Sequence, residues 1–205
     1  VIAILGDIFV PQDLSAPRPL LVALHGGGRD GASQIELWKA LAEKENIILL
    51  APNSLKPPYI QATWFTPGDT QSLADSVTEV LSRYPVDRNR IYCFGHSVGA
   101  TKALDWGYHN RHGIASVALH SPMQASGIYQ FKAEPGSRSL PLGVWSGDEI
   151  CDPNWHCASA LQYAYKEHPN LSIDPKVLPN HEHNGIYTRV GLTDEIWAFL
   201  QQYTL

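Results

Sequence analysis

Ser97 stands in the run Gly95-His96-Ser97-Val98-Gly99, directly after the apolar residues Tyr92, Cys93 and Phe94. The two glycines either loosen a strand-to-helix connection or form a turn so tight that the residues beside the serine must be small. In the second case the backbone holds the hydroxyl clear of the chain, where a base and a substrate can both reach it. Serine at its ordinary pKa is a poor nucleophile, so this chemistry requires a base within hydrogen-bond reach and a carboxylate to orient that base. The developing negative charge requires N–H donors. A helix beginning after Ser97 aims its first amides at the site, and Val98 N–H is the natural first donor. A second donor must come from another loop.

That loop is expected at His25–Gly31, HGGGRDG, where three consecutive glycines let the backbone approach a ligand closely and turn N–H groups outward. Gly27 is the expected donor, since a loop of this type is the usual partner of a serine elbow. A flexible turn and a phosphate loop are the rival readings. The chain lacks both the Lys-Ser/Thr of a P-loop and the G-x-G-x-x-G spacing.

The elements that must position these residues follow from the apolar pattern. PLLVALH (19–25), IILLAP (47–52), RIYCFG (90–95), IASVALHS (114–121), LPLGVWSG (140–147) and SIDPKVL (172–178) read as strands. The proline in the last marks an edge or a bulge. Between them, helical spacing runs through SQIELWKALAEKE with Ser33 as its N-cap, SLADSVTEVLSRY, a segment from Ser97 to about Tyr108, HCASALQYAYKEH and LTDEIWAFLQQY. Such alternation predicts an α/β fold, a mostly parallel sheet with helices on both faces. No repeat or linker interrupts it, so residues 1–205 are expected to form a single domain.

Composition narrows the classes of function. The 205 residues carry a net charge of −5 and 17% charged residues, and no basic cluster is interleaved with aromatics. Nucleic acid is therefore not an expected partner. No apolar run reaches membrane-spanning length. The chain starts without Met or a basic segment, which suits a trimmed end. A soluble protein is expected, of the cytoplasm or, if its start has been processed, secreted. Three cysteines are too few for a disulfide scaffold. Cys93 reads as buried, whereas Cys151 and Cys157 are close enough in sequence to pair.

PLLVALHGGG, VDRNRIYCFGHSVGA and the late LPNHEHNGIY…IWAFL resemble the α/β-hydrolase fold serine esterases. The likeness is to the branch that holds polyhydroxybutyrate depolymerase-like, feruloyl-esterase-like and phospholipase/carboxylesterase-like proteins. It extends from about Pro19 to Leu200 and implies the order serine, acid, histidine. The base then follows the last strand, where NHEHNG offers His181 and His183. His183, followed by Asn and an aromatic segment, matches the family's histidine, and His181 is the alternative. A metal pair made by the same two histidines, with His156, Cys151 or Cys157, finds no C-x-x-C or H-E-x-x-H spacing. No metal or cofactor is expected. The acid falls in SGDEICDP. The family's usual place, three residues after the glycine, holds Ile150. Asp148 lies nearest the strand end, and GDEIC resembles the GDxVC segment of cutinases. Asp152, followed by Pro, resembles other members and is the alternative acid.

The resemblance implies a serine-dependent carboxylic ester hydrolase working through an acyl-enzyme, on a small-molecule or polymer-borne ester. A peptidase or thioesterase of the same fold, and a non-catalytic binding protein, are the rival functions. Only a short segment separates VALHSPM from LPLGVW, which predicts little or no lid. Trp64 and Phe65, in a proline-rich loop, and Trp155, near the acid, are the expected lining of the cleft. Trp38, Trp106 and Trp197 fall at helical spacing and are assigned to packing, His96 to packing or hydrogen bonding, and Arg29 to the solvated surface.

Overall fold

The computed structural model describes residues 4–56, 64–122, 131–148 and 157–205, residues 157–160 by their backbone alone. Seven strands form one sheet: β1 (Gly6–Phe9), β2 (Arg18–Leu24), β3 (Ile48–Pro52), β4 (Val86–His96), β5 (Ser116–His120), β6 (Leu140–Gly147) and β7 (Leu171–Leu178). Their order is β1-β3-β2-β4-β5-β6-β7. β1 is antiparallel to β3, and the other pairings are parallel. The helices are α1 (Gly31–Glu45), α2 (Asp69–Arg83), α3 (Val98–His109), α4 (Cys157–Tyr165) and α5 (Leu192–Leu200).

The central strands are apolar on both sides because both sides are covered. Leu20, Val22 and Leu24 of β2 pack with Leu73, Val77 and Val80 of α2 and with Ala103 and Leu104 of α3. The alternate residues Leu21 and Ala23 join Trp38 and Leu41 of α1 and Ile196, Trp197 and Phe199 of α5. Each of these large side chains contributes roughly 1.5–3 kcal/mol on leaving water. Trp38, Trp106 and Trp197 are buried, as their helical spacing predicts.

The structure departs from the sequence reading at the element ends. Asp30, not Ser33, caps α1: it is extended, and its carboxylate accepts from Ser33 N at 3.0 Å. α2 begins at Asp69, three residues before the expected start, and β4 begins at Val86. β1 went unread because its four half-buried residues carry no marked pattern; it forms only by pairing with β3. β7 lies at the sheet edge, with Pro175 opposite Val144, where a missing N–H costs no ladder bond on the outer side.

Strand order sets the position of the site. From β2 the chain moves to β3 on one side, and from β4 it moves to β5 on the other. The carboxyl ends of β2 and β4 therefore flank the switch point, where open α/β sheets present a crevice. His25–Gly28 leave β2 there, and Ser97 leaves β4.

Candidate active site

At the end of β4 the chain turns into α3 within one residue, Ser97, at φ 56° and ψ −124°. A non-glycine residue rarely holds this conformation, and such strain recurs where a side chain must be aimed. The flanking glycines are a steric necessity. A Cβ on Gly95 would stand 2.3 Å from Gly99 O, and one on Gly99 would stand 2.3 Å from His25 O and 2.6 Å from Leu24 O. The start of α3 is thus pressed against both its own strand and the end of β2. Ser97 N–H donates to His120 O at 2.9 Å, which fixes the turn to β5. Val98 opens α3, where backbone N–H groups have no carbonyl four residues back.

The two candidate histidines have different partners. His183 Nε2 lies 3.0 Å from Ser97 Oγ. His181 is buried and its Nε2 lies 2.7 Å from His120 Nε2. Among the described residues no group of three His, Cys, Asp or Glu side chains is arranged to hold a metal ion. Asp148 follows β6, and its Oδ2 accepts from Asn180 N at 3.0 Å, three residues before His183. Asp152, Trp155 and Cys151 lie outside the described residues, as does the side chain of Cys157. Burial pushes the Cys93 thiol up and leaves it a packing group.

The glycine loop lies against the elbow. A Cβ on Gly26 would stand 3.3 Å from Ser97 Cβ, and one on Gly27 would stand 3.8 Å from Val98 Cγ1. His25 holds the root of this loop: its Nδ1 meets Gly26 O at 2.9 Å, and its Nε2 accepts from Ser54 N at 3.3 Å. Burial lowers its pKa and keeps it neutral. Trp64 corrects one expectation. It is 1% exposed, inside the core, with Nε1–H donating to His25 O at 2.8 Å. It supports the loop from behind instead of lining a cleft. Phe65 is 44% exposed. Arg29 is not a free surface charge, since its guanidinium sits 3.7 Å from the centre of the Tyr187 ring. Beside the loop a recess of about 410 Å³ is lined by Arg29, Asp30, Asn53, Ser54, Leu55 and Lys56 among others, a wall of mixed polar and apolar surface.

Three contributors escaped the sequence reading, two of them buried. Asp69 is buried, and its carboxylate accepts from Leu55 N and Thr66 N, each at 2.8 Å, and from Ser54 Oγ at 3.2 Å. It thereby holds both sides of the proline-rich segment. His120, at the end of β5, faces His96 across the sheet with Nδ1 to Nδ1 at 2.9 Å. Asn184 Oδ1 lies 3.3 Å from His96 Nε2. A histidine ending each of two apolar runs was the available signal, but their adjacency required the strand order. Burial, with the nearby His183, pushes His96 down to about 3, and burial with neighbouring histidines pushes His120 well below its ordinary value.

No family model matches the chain. The sheet order, its single antiparallel strand and the serine turn at the switch point define the α/β-hydrolase fold. Among solved structures, an S-formylglutathione hydrolase from Agrobacterium tumefaciens shares it with a TM-score of 0.71 at 12% identity, covering 95% of this chain and 88% of that one. In sequence, the chain is similar to a bifunctional acetylxylan esterase/xylanase of Neocallimastix patriciarum, 25% identical over 97% of this chain and 33% of the relative. It is also similar to acetylxylan esterase A of Aspergillus awamori, 26% identical over 77% of this chain and 54% of the relative. The chain thus spans a third to about half the length of these curated relatives.

Proposed function

We propose that the protein is a serine-dependent carboxylic ester hydrolase acting through an acyl-enzyme. The observation that carries this reading is the 3.0 Å contact between His183 Nε2 and Ser97 Oγ at a strained turn. His183 takes the Ser97 proton as Oγ attacks the acyl carbon, then gives it to the departing alcohol. Water, deprotonated by the same imidazole, releases the carboxylic acid and restores the serine. Gly27 and Val98 N–H bind the oxyanion, where preorganised donors stabilise charge that appears only in the transition state. The acid comes from the segment after β6, with Asp148 as the first candidate and Asp152 as the alternative. The 1–205 chain acts as one catalytic domain and needs no metal or cofactor.

The substrate is an acetyl ester carried on a carbohydrate. Similarity to acetylxylan esterases supports this choice. The test uses p-nitrophenyl esters of increasing acyl length and acetylated xylan, with Ser97→Ala as the control. Hydrolysis should be greatest with acetyl. Ser97→Ala should lower turnover by roughly 10⁴-fold or more, because nucleophile and base act as a unit. A folded Ser97→Ala protein that turns over normally would sink the mechanism; a preference for long acyl chains would sink the substrate assignment alone.

A further inference from the structure

The loop that carries His183 is fastened to the sheet at two points, one on each side of that residue. Two residues before it, His181 Nε2 lies 2.7 Å from His120 Nε2; one residue after it, Asn184 Oδ1 lies 3.3 Å from His96 Nε2. The two fastenings are joined to each other, because His96 and His120 end neighbouring parallel strands in register and meet Nδ1 to Nδ1 at 2.9 Å. His181, His120, His96 and Asn184 thus form one continuous chain of hydrogen bonds. All three imidazoles are buried, His120 completely. The loop is moulded around the chain: a Cβ on Gly185 would stand 2.4 Å from the His181 ring. The His96 ring also lies 5.1 Å from that of His183 and 5.4 Å from that of Tyr187.

Elementary bonding fixes where the protons sit. Each of the three N···N or N···O contacts needs one donor and one acceptor, and a neutral imidazole supplies one of each. Asn184 Oδ1 only accepts, so His96 carries its proton on Nε2 and accepts on Nδ1. His120 must then donate from Nδ1 and accept on Nε2, and His181 must donate from Nε2. Three protons serve three bonds. The chain ends on an amide oxygen that has no proton to pass on, so it cannot relay one to the serine. It is a brace.

We propose that His181, His120, His96 and Asn184 are positioning residues that hold the His183 imidazole at Ser97 through a chain of three neutral histidines. This rests on the reading of Ser97 and His183 as nucleophile and base. A brace acts on the orientation of the base, so its loss should appear in the chemical step. Misplacement on the order of 1 Å costs about a hundredfold in rate.

The test compares Asn184→Ala, at an exposed position where folding is at little risk, with His120→Leu, assayed with p-nitrophenyl acetate. Asn184→Ala should lower kcat by about tenfold or more, with KM within about twofold and the melting temperature unchanged. His120→Leu, if it folds, should lower kcat further. Independently of activity, long-range proton–nitrogen spectra of the wild-type histidines at pH 7 should find the proton on Nε2 of His96 and His181 and on Nδ1 of His120. Wild-type kcat in Asn184→Ala, or a doubly protonated ring among the three at pH 7, would overturn the brace. Failure of the underlying reading is separable: it shows as turnover surviving in Ser97→Ala. An inactive Ser97→Ala beside a fully active Asn184→Ala refutes the brace alone.

Discussion

Lowering the pH from 8 to 4.5 should cost this protein a large share of its stability, and the cost can be worked from two buried rings. At pH 8 His96 and His120 are neutral in both the folded and the unfolded chain and contribute nothing to the pH dependence. Below the ordinary histidine value of about 6.5 the unfolded chain binds a proton on each. The folded chain does not, because both rings are wholly enclosed and His96 faces His183 and the charge of Arg29, while His120 faces His96, His181 and His183. The folded pKa is depressed, so stability is fully present above about pH 6.5 and is lost as pH falls toward the folded value, about 3 for His96. Linkage gives a slope of about 1.4 kcal/mol per pH unit for each ring in that window. Between pH 8 and 4.5 the His96 ring alone then costs about 3 kcal/mol, and His120 adds to the loss in the same direction. A typical domain has only about 5–15 kcal/mol in total. His25, also lowered by burial, acts in the same direction. Urea unfolding at pH 8, 7, 6, 5 and 4.5 measures this directly. A free energy of unfolding that stays level from pH 7 to 4.5 would refute the reasoning, as would either ring titrating near 6.5 in the folded protein.

Other expectations concern single side chains. His183→Ala should lose activity as fully as Ser97→Ala, whereas His181→Ala, acting only through position, should lose about ten- to a hundredfold; equal kcat values for the two histidine variants would refute the assignment. Asp148→Asn should lower turnover on the order of 10⁴-fold with the fold intact, and Asp152→Asn far less; the reverse order would make Asp152 the acid. Gly99→Ala places a methyl 2.3 Å from the backbone oxygen of His25, which no side-chain rotation relieves. It should cost about 1–3 kcal/mol and most of the activity, because it separates the two proposed oxyanion donors. A wild-type melting temperature for Gly99→Ala would contradict the close approach of α3 to β2.

Some features are legible in the sequence because their causes are local. Gly95 is required by its contact with Gly99 inside the serine turn, so the turn announces itself in five residues, although Gly99 also answers to Leu24 and His25 at the end of β2. The central strands are covered on both faces, so their apolar runs stand out, and β6 is found at the bounds its sequence suggests. Pro175 marks β7 as an edge because a missing N–H is tolerated there.

What lay beyond the sequence depends on which strands are neighbours and on how long loops return. His181 and His183 are two residues apart and chemically identical; only the packing of their loop across β4 and β5 directs one to His120 and the other to Ser97. Trp64 reads as a loop aromatic near the cleft, yet the return of its segment buries it behind the glycine loop. β1 exists only through its pairing with β3. His96 and His120 are 24 residues apart, and nothing near either predicts a bond between them. Periodicity and steric need are written along the chain, but a contact between distant side chains is set by strand order, which many sequences of the same pattern could satisfy differently. The sequence therefore determined the serine's turn and the layers that support it, while the tertiary structure decided which histidine meets the serine and what surrounds it there.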